Sequence, residues 1–384
     1  MTELAQRIKR LQPSPIRDIL HVIDQPGMIS FAGGLPSGDS FPELPIGELS
    51  GEQLQYGPSE GEPALREHIA SDLTARGLPT EASQVLILSG SQQGIDLVAK
   101  LLINEGTKVA VESPTYLAAL QVFTLLGADY QPLALQSAQH EKDDGSLNTQ
   151  NTALTYAIPT FQNPTGHCYS LNERQALASA CDQTGSILFE DDPYRELCFD
   201  PCDRTPVCSL LKTTPWIYQS SFSKTLAPGL RLGYMTSSPE LFPHLVRLKQ
   251  AADLHSNRVS QHLVLKLLQA DTDGSRLSAV IERYRQKRDH FEQLLKYHFN
   301  DIATWEKPAG GLFFWLNLKL NEAVDSRKLL PEAIRNHVAF MPGEPFYPGT
   351  VETANAIRLN FSHASQDNAE IGLKTLASLF KRFA

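Results

Sequence analysis

The 384-residue chain lacks several features that would assign it quickly. It has no basic surplus: the formal net charge is −9, which argues against nucleic acid as a main partner, because phosphate backbones demand a cationic face. It has no apolar run long enough to span a bilayer. Its first residues, Met1 to Pro13, are polar and contain no signal core. Cysteines are few: Cys168, Cys181, Cys198, Cys202 and Cys208. Their number is odd, and neither a second pair nor a histidine cluster completes Cys198/Cys202 as a metal site. Free thiols in a reducing cytoplasm are the expectation, and no metal is expected. There is no internal repeat and no low-complexity tract. What remains is an ordinary globular composition, 41% hydrophobic and 20% charged, in a chain long enough for two domains.

The periodicity divides the chain. Residues 1–45 read as an arm with a short amphipathic helix at Ile16–Val22, a strand at Met28–Phe31 and a turn through Gly33-Gly34. Residues 46–275 alternate strands and helices. Strands are expected at Val85–Leu88, Lys108–Val111, Tyr130–Leu135, Leu154–Ile158, Ser186–Phe189, Trp216–Gln219 and Leu232–Thr236. Helices are expected at Pro63–Ala75, Ile95–Asn104, Leu117–Leu126 and from Ser170, whose Ser-x-x-Glu is a capping box, to Gln183. That alternation predicts a mainly parallel α/β sheet with helices on both faces. A long helical region to Ala270 should break near His255-Ser256-Asn257. Residues 276–384 form a smaller α+β block, with a strand at Val338–Met341 and another at Ala356–Phe361.

One stretch carries the chemistry: Ser221-Phe222-Ser223-Lys224-Thr225-Leu226-Ala227-Pro228-Gly229-Leu230-Arg231, on a loop between two expected strands. A lysine held there can form a Schiff base, and Arg231 can grip a phosphate bidentately. Earlier, the turn Ser89 to Gln93 precedes a helix, whose N-terminal N–H groups favour an anion. Ser91 could equally be an ordinary N-cap.

These residues resemble the lysine segment of the class I/II aminotransferases, pyridoxal-phosphate enzymes of fold type I. The likeness is greatest to the subgroup of 2-aminoadipate and kynurenine aminotransferases, and it runs from Arg17 to about Phe380. The resemblance implies a fold type I enzyme with a seven-stranded, mainly parallel sheet and a smaller C-terminal domain. It implies pyridoxal 5'-phosphate held by Lys224. Asp191 would face the pyridine nitrogen. Asp192 is a rival on residue type alone, and the family's Asp-x-x-Tyr spacing to Tyr194 selects Asp191. Asn163 and Tyr194 would bind the phenolic oxygen, with Pro164 cis, and Tyr116 would stack on the ring. Ser91, Gln92, Ser221, Ser223 and Arg231 would hold the phosphate, and Tyr56 would reach the phosphate of the other subunit. Arg358, Asn163, Gly34 and Arg17 would contact substrate, Arg358 through the α-carboxylate.

A cytoplasmic homodimer with shared active sites follows. It would move an amino group from an L-amino acid to a 2-oxo acid, with 2-oxoglutarate as the expected acceptor. Two alternatives share these residues. One is another pyridoxal-phosphate chemistry, such as a lyase or decarboxylase. The other is a regulatory domain carried behind a winged helix, for which the short segment ahead of the large domain leaves no room.

Overall fold

A computed structural model describes residues 4–11, 25–133, 149, 151–319, 325–349 and 354–383. The helix expected at Ile16–Val22, Arg17 with it, and the end of the strand expected at Tyr130–Leu135 lie outside the described residues.

In chain order the elements are β1 (Ile29–Ser30), α1 (Pro63–Ala75), β2 (Val85–Leu88), α2 (Ser91–Leu102), β3 (Lys108–Val111), α3 (Leu117–Leu126), β4 (Asp129–Pro132) and β5 (Leu154–Ala157). There follow α4 (Leu171–Thr184), β6 (Ile187–Asp191), β7 (Trp216–Ser221), β8 (Gly233–Ser237), α5 (Phe242–Asp253), α6 (Arg258–Ala270) and α7 (Ser275–Phe299). The last are β9 (Ala303–Thr304), β10 (Phe313–Leu318), α8 (Ser326–Arg335), β11 (Val338–Ala339), β12 (Met341–Pro342), β13 (Ala356–Asn360) and α9 (Gln366–Phe380).

Seven strands form one sheet in the order β2-β8-β7-β6-β5-β3-β4. Only β8 runs against its neighbours. The inner strands are apolar on both sides because helices cover both. Ile95, Val98, Ala119, Phe123 and Leu245 pack α2, α3 and α5 on one face. Leu65, Ile69, Leu73, Leu177 and Val264 pack α1, α4 and α6 on the other. A second core lies between α7, α9 and the antiparallel sheet β12-β13-β10-β9. No helix among the described residues is long and apolar enough to cross a membrane.

Three expectations shift. First, α2 begins at Ser91, not Ile95, because Gly90 takes the N-cap position with φ 82°, a conformation glycine enters freely. Ser91 is therefore the first helical residue and not the cap. Second, β6 runs on through Asp191, so this carboxylate belongs to the strand and not to the turn after it. Third, the single strand expected over Val338–Met341 is two: β11 pairs with β1, and β12 pairs with β13. The arm causes the split. Phe31 N–H donates to Ala339 O and Phe31 O accepts from Asn360 N–H, so the arm backbone lies between β11 and β13.

Candidate active site

The carboxyl ends of parallel strands are where α/β sheets bind ligands, because the loops there diverge and leave a crevice. Here they enclose a cavity of about 140 Å³. Ser91, Gln92, Tyr116, Asn163, Asp191, Tyr194, Ser221, Ser223, Lys224 and Arg231 all line it, joined by Ile158, Pro193 and Pro228. Stretches that are far apart in sequence thus converge on one space.

Lys224 enters from the loop after β7. Its Nζ donates to Gly34 O at 2.9 Å and stands 5.9 Å from the centre of the Tyr194 ring. Burial lowers its pKa to about 8, with help from the positive charges of Arg358 and Arg231. A substantial fraction of the amine is then neutral near pH 8, as a nucleophile or proton acceptor must be.

Asp191 closes the opposite end. Its Oδ2 accepts from the Tyr156 hydroxyl at 2.8 Å, while Oδ1 is buried and has no well-formed hydrogen bond among the described residues. Burial raises this carboxyl to about 7, against the lowering effect of the Tyr156 and Gln219 side chains. An unpaired buried carboxylate oxygen is costly, and a protonated ring nitrogen in the cavity would satisfy it. Asp192 faces elsewhere: its Oδ2 accepts from Tyr218 at 3.0 Å and pairs with Arg195 at 3.6 Å. Strand alternation separates the two neighbours.

The end nearest α2 is built for an anion. The first turn of a helix leaves N–H groups unpaired and directs its positive pole outward. Arg231, exposed and with φ 47°, lays its guanidinium over Gly90, where a Cβ would come within 2.6 Å of Nη2. Ser221 and Ser223 are both buried, with Ser221 Oγ accepting from Ser223 N–H at 3.1 Å. Lys249 on α5 braces the turn from behind. It is wholly buried and donates to Gln93 Oε1 at 2.7 Å, Asp253 Oδ2 at 2.8 Å and Ser256 Oγ at 2.8 Å. Gln93 Oε1 also accepts from Ser89 N–H at 2.9 Å.

The walls between carry Tyr116, whose hydroxyl donates to Gln92 Oε1 at 3.3 Å and is pushed up to about 12 by burial. Tyr194, also raised by burial, meets Phe313 edge-on at 5.7 Å. The Asn163-Pro164 bond is cis, as the resemblance implied; the Ser113-Pro114 bond is cis as well.

Arg358 arrives from β13. It is buried, and among the described residues no carboxylate pairs with it. It donates to Asn163 Oδ1 at 2.8 Å and Ala32 O at 2.6 Å, while Nε has no partner. Its guanidinium lies 4.2 Å from the Phe313 ring and 5.0 Å from that of Phe346. Burial lowers its pKa to about 10. Arg358 and Gly34 thus adjoin the cavity without lining it. Tyr56 is elsewhere, 76% exposed and edge-on to His255 at 5.8 Å. Arg17 lies outside the described residues. Sequence reasoning missed Tyr156, Phe313 and Lys249. Only Tyr156 carried a signal, since a tyrosine within an apolar strand needs a partner for its hydroxyl.

A seven-stranded sheet with one reversed strand, a buried lysine in the crevice and an unpaired carboxylate oxygen facing it define a pyridoxal-phosphate enzyme of fold type I. The donor set suits that cofactor at every end of the cavity. The family described as Aminotransferase class I and II matches residues 40–376. The chain is 34% identical to the 2-aminoadipate transaminase of Thermus thermophilus, over 97% of this chain and 95% of that one. It is 33% identical to aromatic-amino-acid aminotransferase 1 of Thermococcus litoralis, over 97% and 92%. The solved kynurenine aminotransferase of Pyrococcus horikoshii superposes with a TM-score of 0.89 at 30% identity, covering 99% of this chain and 97% of that one. The chain belongs to the class I and II aminotransferases: it is a pyridoxal-phosphate-dependent aminotransferase.

Proposed function

We propose that this enzyme moves the amino group of an L-amino acid (2-aminoadipate, aromatic or aliphatic) to a 2-oxo acid, with 2-oxoglutarate as acceptor. The observation that carries this reading is Arg358, a buried guanidinium whose charge reaches Lys224 and which has no carboxylate partner among the described residues. A substrate α-carboxylate would give it the planar, two-point partner that the protein withholds. The names of the similar proteins supply the donor classes.

Bound pyridoxal phosphate supplies an electron sink for the pair left when the donor's Cα loses its proton. The chain does the rest. Lys224 Nζ would accept the donor's Cα proton and give it up again. Asp191 would keep the cofactor's ring nitrogen protonated, Asn163 and Tyr194 would hydrogen-bond its phenolic oxygen, and Tyr116 would stack on the ring. Ser91, Gln92, Ser221, Ser223 and Arg231 would hold the phosphate. Tyr56 serves the site of a second subunit, which makes the enzyme a homodimer with shared sites. Its exposure, with that of Leu54 at 78% and Ile46 at 61%, supports a covered face there. Gly34 and Arg17 flank the substrate, Arg17 selecting acidic side chains.

The test is a panel of L-amino acids with 2-oxoglutarate, scored for glutamate, repeated with Arg17→Ala. Glutamate from 2-aminoadipate or an aromatic donor is expected. Arg17→Ala should lower kcat/KM for 2-aminoadipate by about 1.5–3 kcal/mol, the worth of a charged hydrogen bond, and spare leucine. Absence of glutamate with every donor would defeat the proposal, and equal losses for both donors would remove Arg17 from it.

A further inference from the structure

The five cysteines fall into two kinds. Cys181 and Cys208 are buried in the sheet's core, and burial pushes Cys181 up to about 12. Such thiols are inert. Cys168, Cys198 and Cys202 are partly exposed and gather in one place. They flank the cluster of Phe161, Tyr194, Leu197 and Phe313 that backs the cavity. Cys198 and Cys202 lie four residues apart, with their sulfurs in contact at 3.7 Å.

The intervening backbone fixes that approach. Phe199 and Asp200 N–H both donate to Ala309 O, at 2.8 and 3.0 Å. Cys198 forms an isolated bridge with Gly310. Arg288 holds the segment from the far side, pairing with Asp200 and lying 5.2 Å over the Phe199 ring. The sulfurs therefore meet because of the fold, and a bond of about 2.05 Å needs them to close the remaining gap.

We propose that Cys198 and Cys202 are an oxidisable dithiol, a modification site for small-molecule disulfides beside the active-site wall. The Cys198 thiolate attacks one sulfur of the disulfide RSSR, forming a mixed disulfide and releasing RS⁻, which takes the Cys202 proton. The Cys202 thiolate then attacks Cys198 Sγ and expels the second RS⁻, which is protonated by the proton that Cys198 first released. Two protein thiols become one disulfide, RSSR becomes two RSH, and two electrons pass to the reagent. The contact selects Cys198, whose sulfur touches Cys202 at 3.7 Å. The Cys202 hydrogen bond, against burial and with the charge of Arg204, lowers Cys198 to about 7, and a hydrogen bond from Cys202 lowers Cys168 to about 6. The site adjoins the turn of Tyr194, whose carbonyl accepts from Leu197 N–H at 2.8 Å.

The test treats the holoenzyme with oxidised glutathione, blocks remaining thiols by alkylation, and digests with trypsin. Arg195 and Arg204 flank the pair, so one peptide, Glu196–Arg204, holds both cysteines. It should lose two hydrogens, resist alkylation, and recover both thiols with dithiothreitol. Cys202→Ser should stop at a glutathione adduct on Cys198. Two freely alkylated cysteines in the treated wild type would overturn the proposal. So would a disulfide joining Cys168 to either of them.

Discussion

The cavity has two unlike walls. The large-sheet wall is self-contained: Asp191 is held by Tyr156 from the neighbouring strand, and the α2 turn is braced by Lys249 from a neighbouring helix. The facing wall is borrowed. Gly34 and Ala32 come from the arm, Arg358 from the small sheet, and they meet the first wall through Lys224–Gly34 and Arg358–Asn163. The difference teaches a division of labour. Groups suited to a permanent cofactor sit on the large sheet, while groups suited to a substrate come from the arm and the small sheet.

That contrast yields graded tests. Lys224→Ala is the severest, because the lysine serves both walls. Turnover should fall by more than about 10⁴-fold, the upper range for a single acid–base group. The protein should stay folded by circular dichroism and still bind cofactor without a covalent link.

Asp191→Asn strikes the first wall alone. Cofactor content by absorbance should persist, while kcat falls by about 10²–10³-fold, the usual cost of one preorganised electrostatic partner. Asp192→Asn should spare kcat, since Asp192 faces Tyr218. The reverse pattern would assign the wrong carboxylate to the cavity.

Arg358→Gln strikes the second wall. Cofactor affinity should hold while kcat/KM for every amino donor drops by about 1.5–3 kcal/mol. The pH profile should move as well. Lys224 is protonated below about 8 and neutral above it. The rate of covalent cofactor capture by the apoenzyme should therefore rise through pH 8. Removing the Arg358 charge relieves part of the downward shift, so the midpoint should move up.

The smallest effect belongs to the brace. Lys249→Met should weaken pyridoxal-phosphate binding by about threefold to tenfold, roughly one hydrogen bond. Binding of pyridoxal, which lacks the phosphate, should not change, as titration of the apoenzyme can check.

The same contrast explains what was legible in the sequence. Lys224, Ser223 and Arg231 lie within one short stretch, so their chemistry showed locally. The order of strands and helices was legible too, because the inner strands are largely apolar and the helices carry their own signals. Capping at Ser170 is one such signal, confirmed by Ser170 Oγ accepting from Glu173 N–H. The start of α2 was not legible, since Ser89-Gly90-Ser91 suits a turn until Gly90 is seen at positive φ. Nor was the split at Phe340, which depends on the arm entering a sheet formed hundreds of residues later. Arg358 and Asn163 stand 195 residues apart, and no local pattern reports their contact. Lys249 looked like any polar helical residue, because burial is a property of the assembled fold.

The central claim is that Lys224 is the covalent anchor of the cofactor. Borohydride reduction of the holoenzyme followed by tryptic mapping tests it most directly. The account predicts the cofactor's mass on Lys224, within a peptide running from Thr213 to Arg231 because trypsin will not cut at a blocked lysine. Label on Lys249 or any other lysine, or none at all on a protein that carries cofactor, would contradict it.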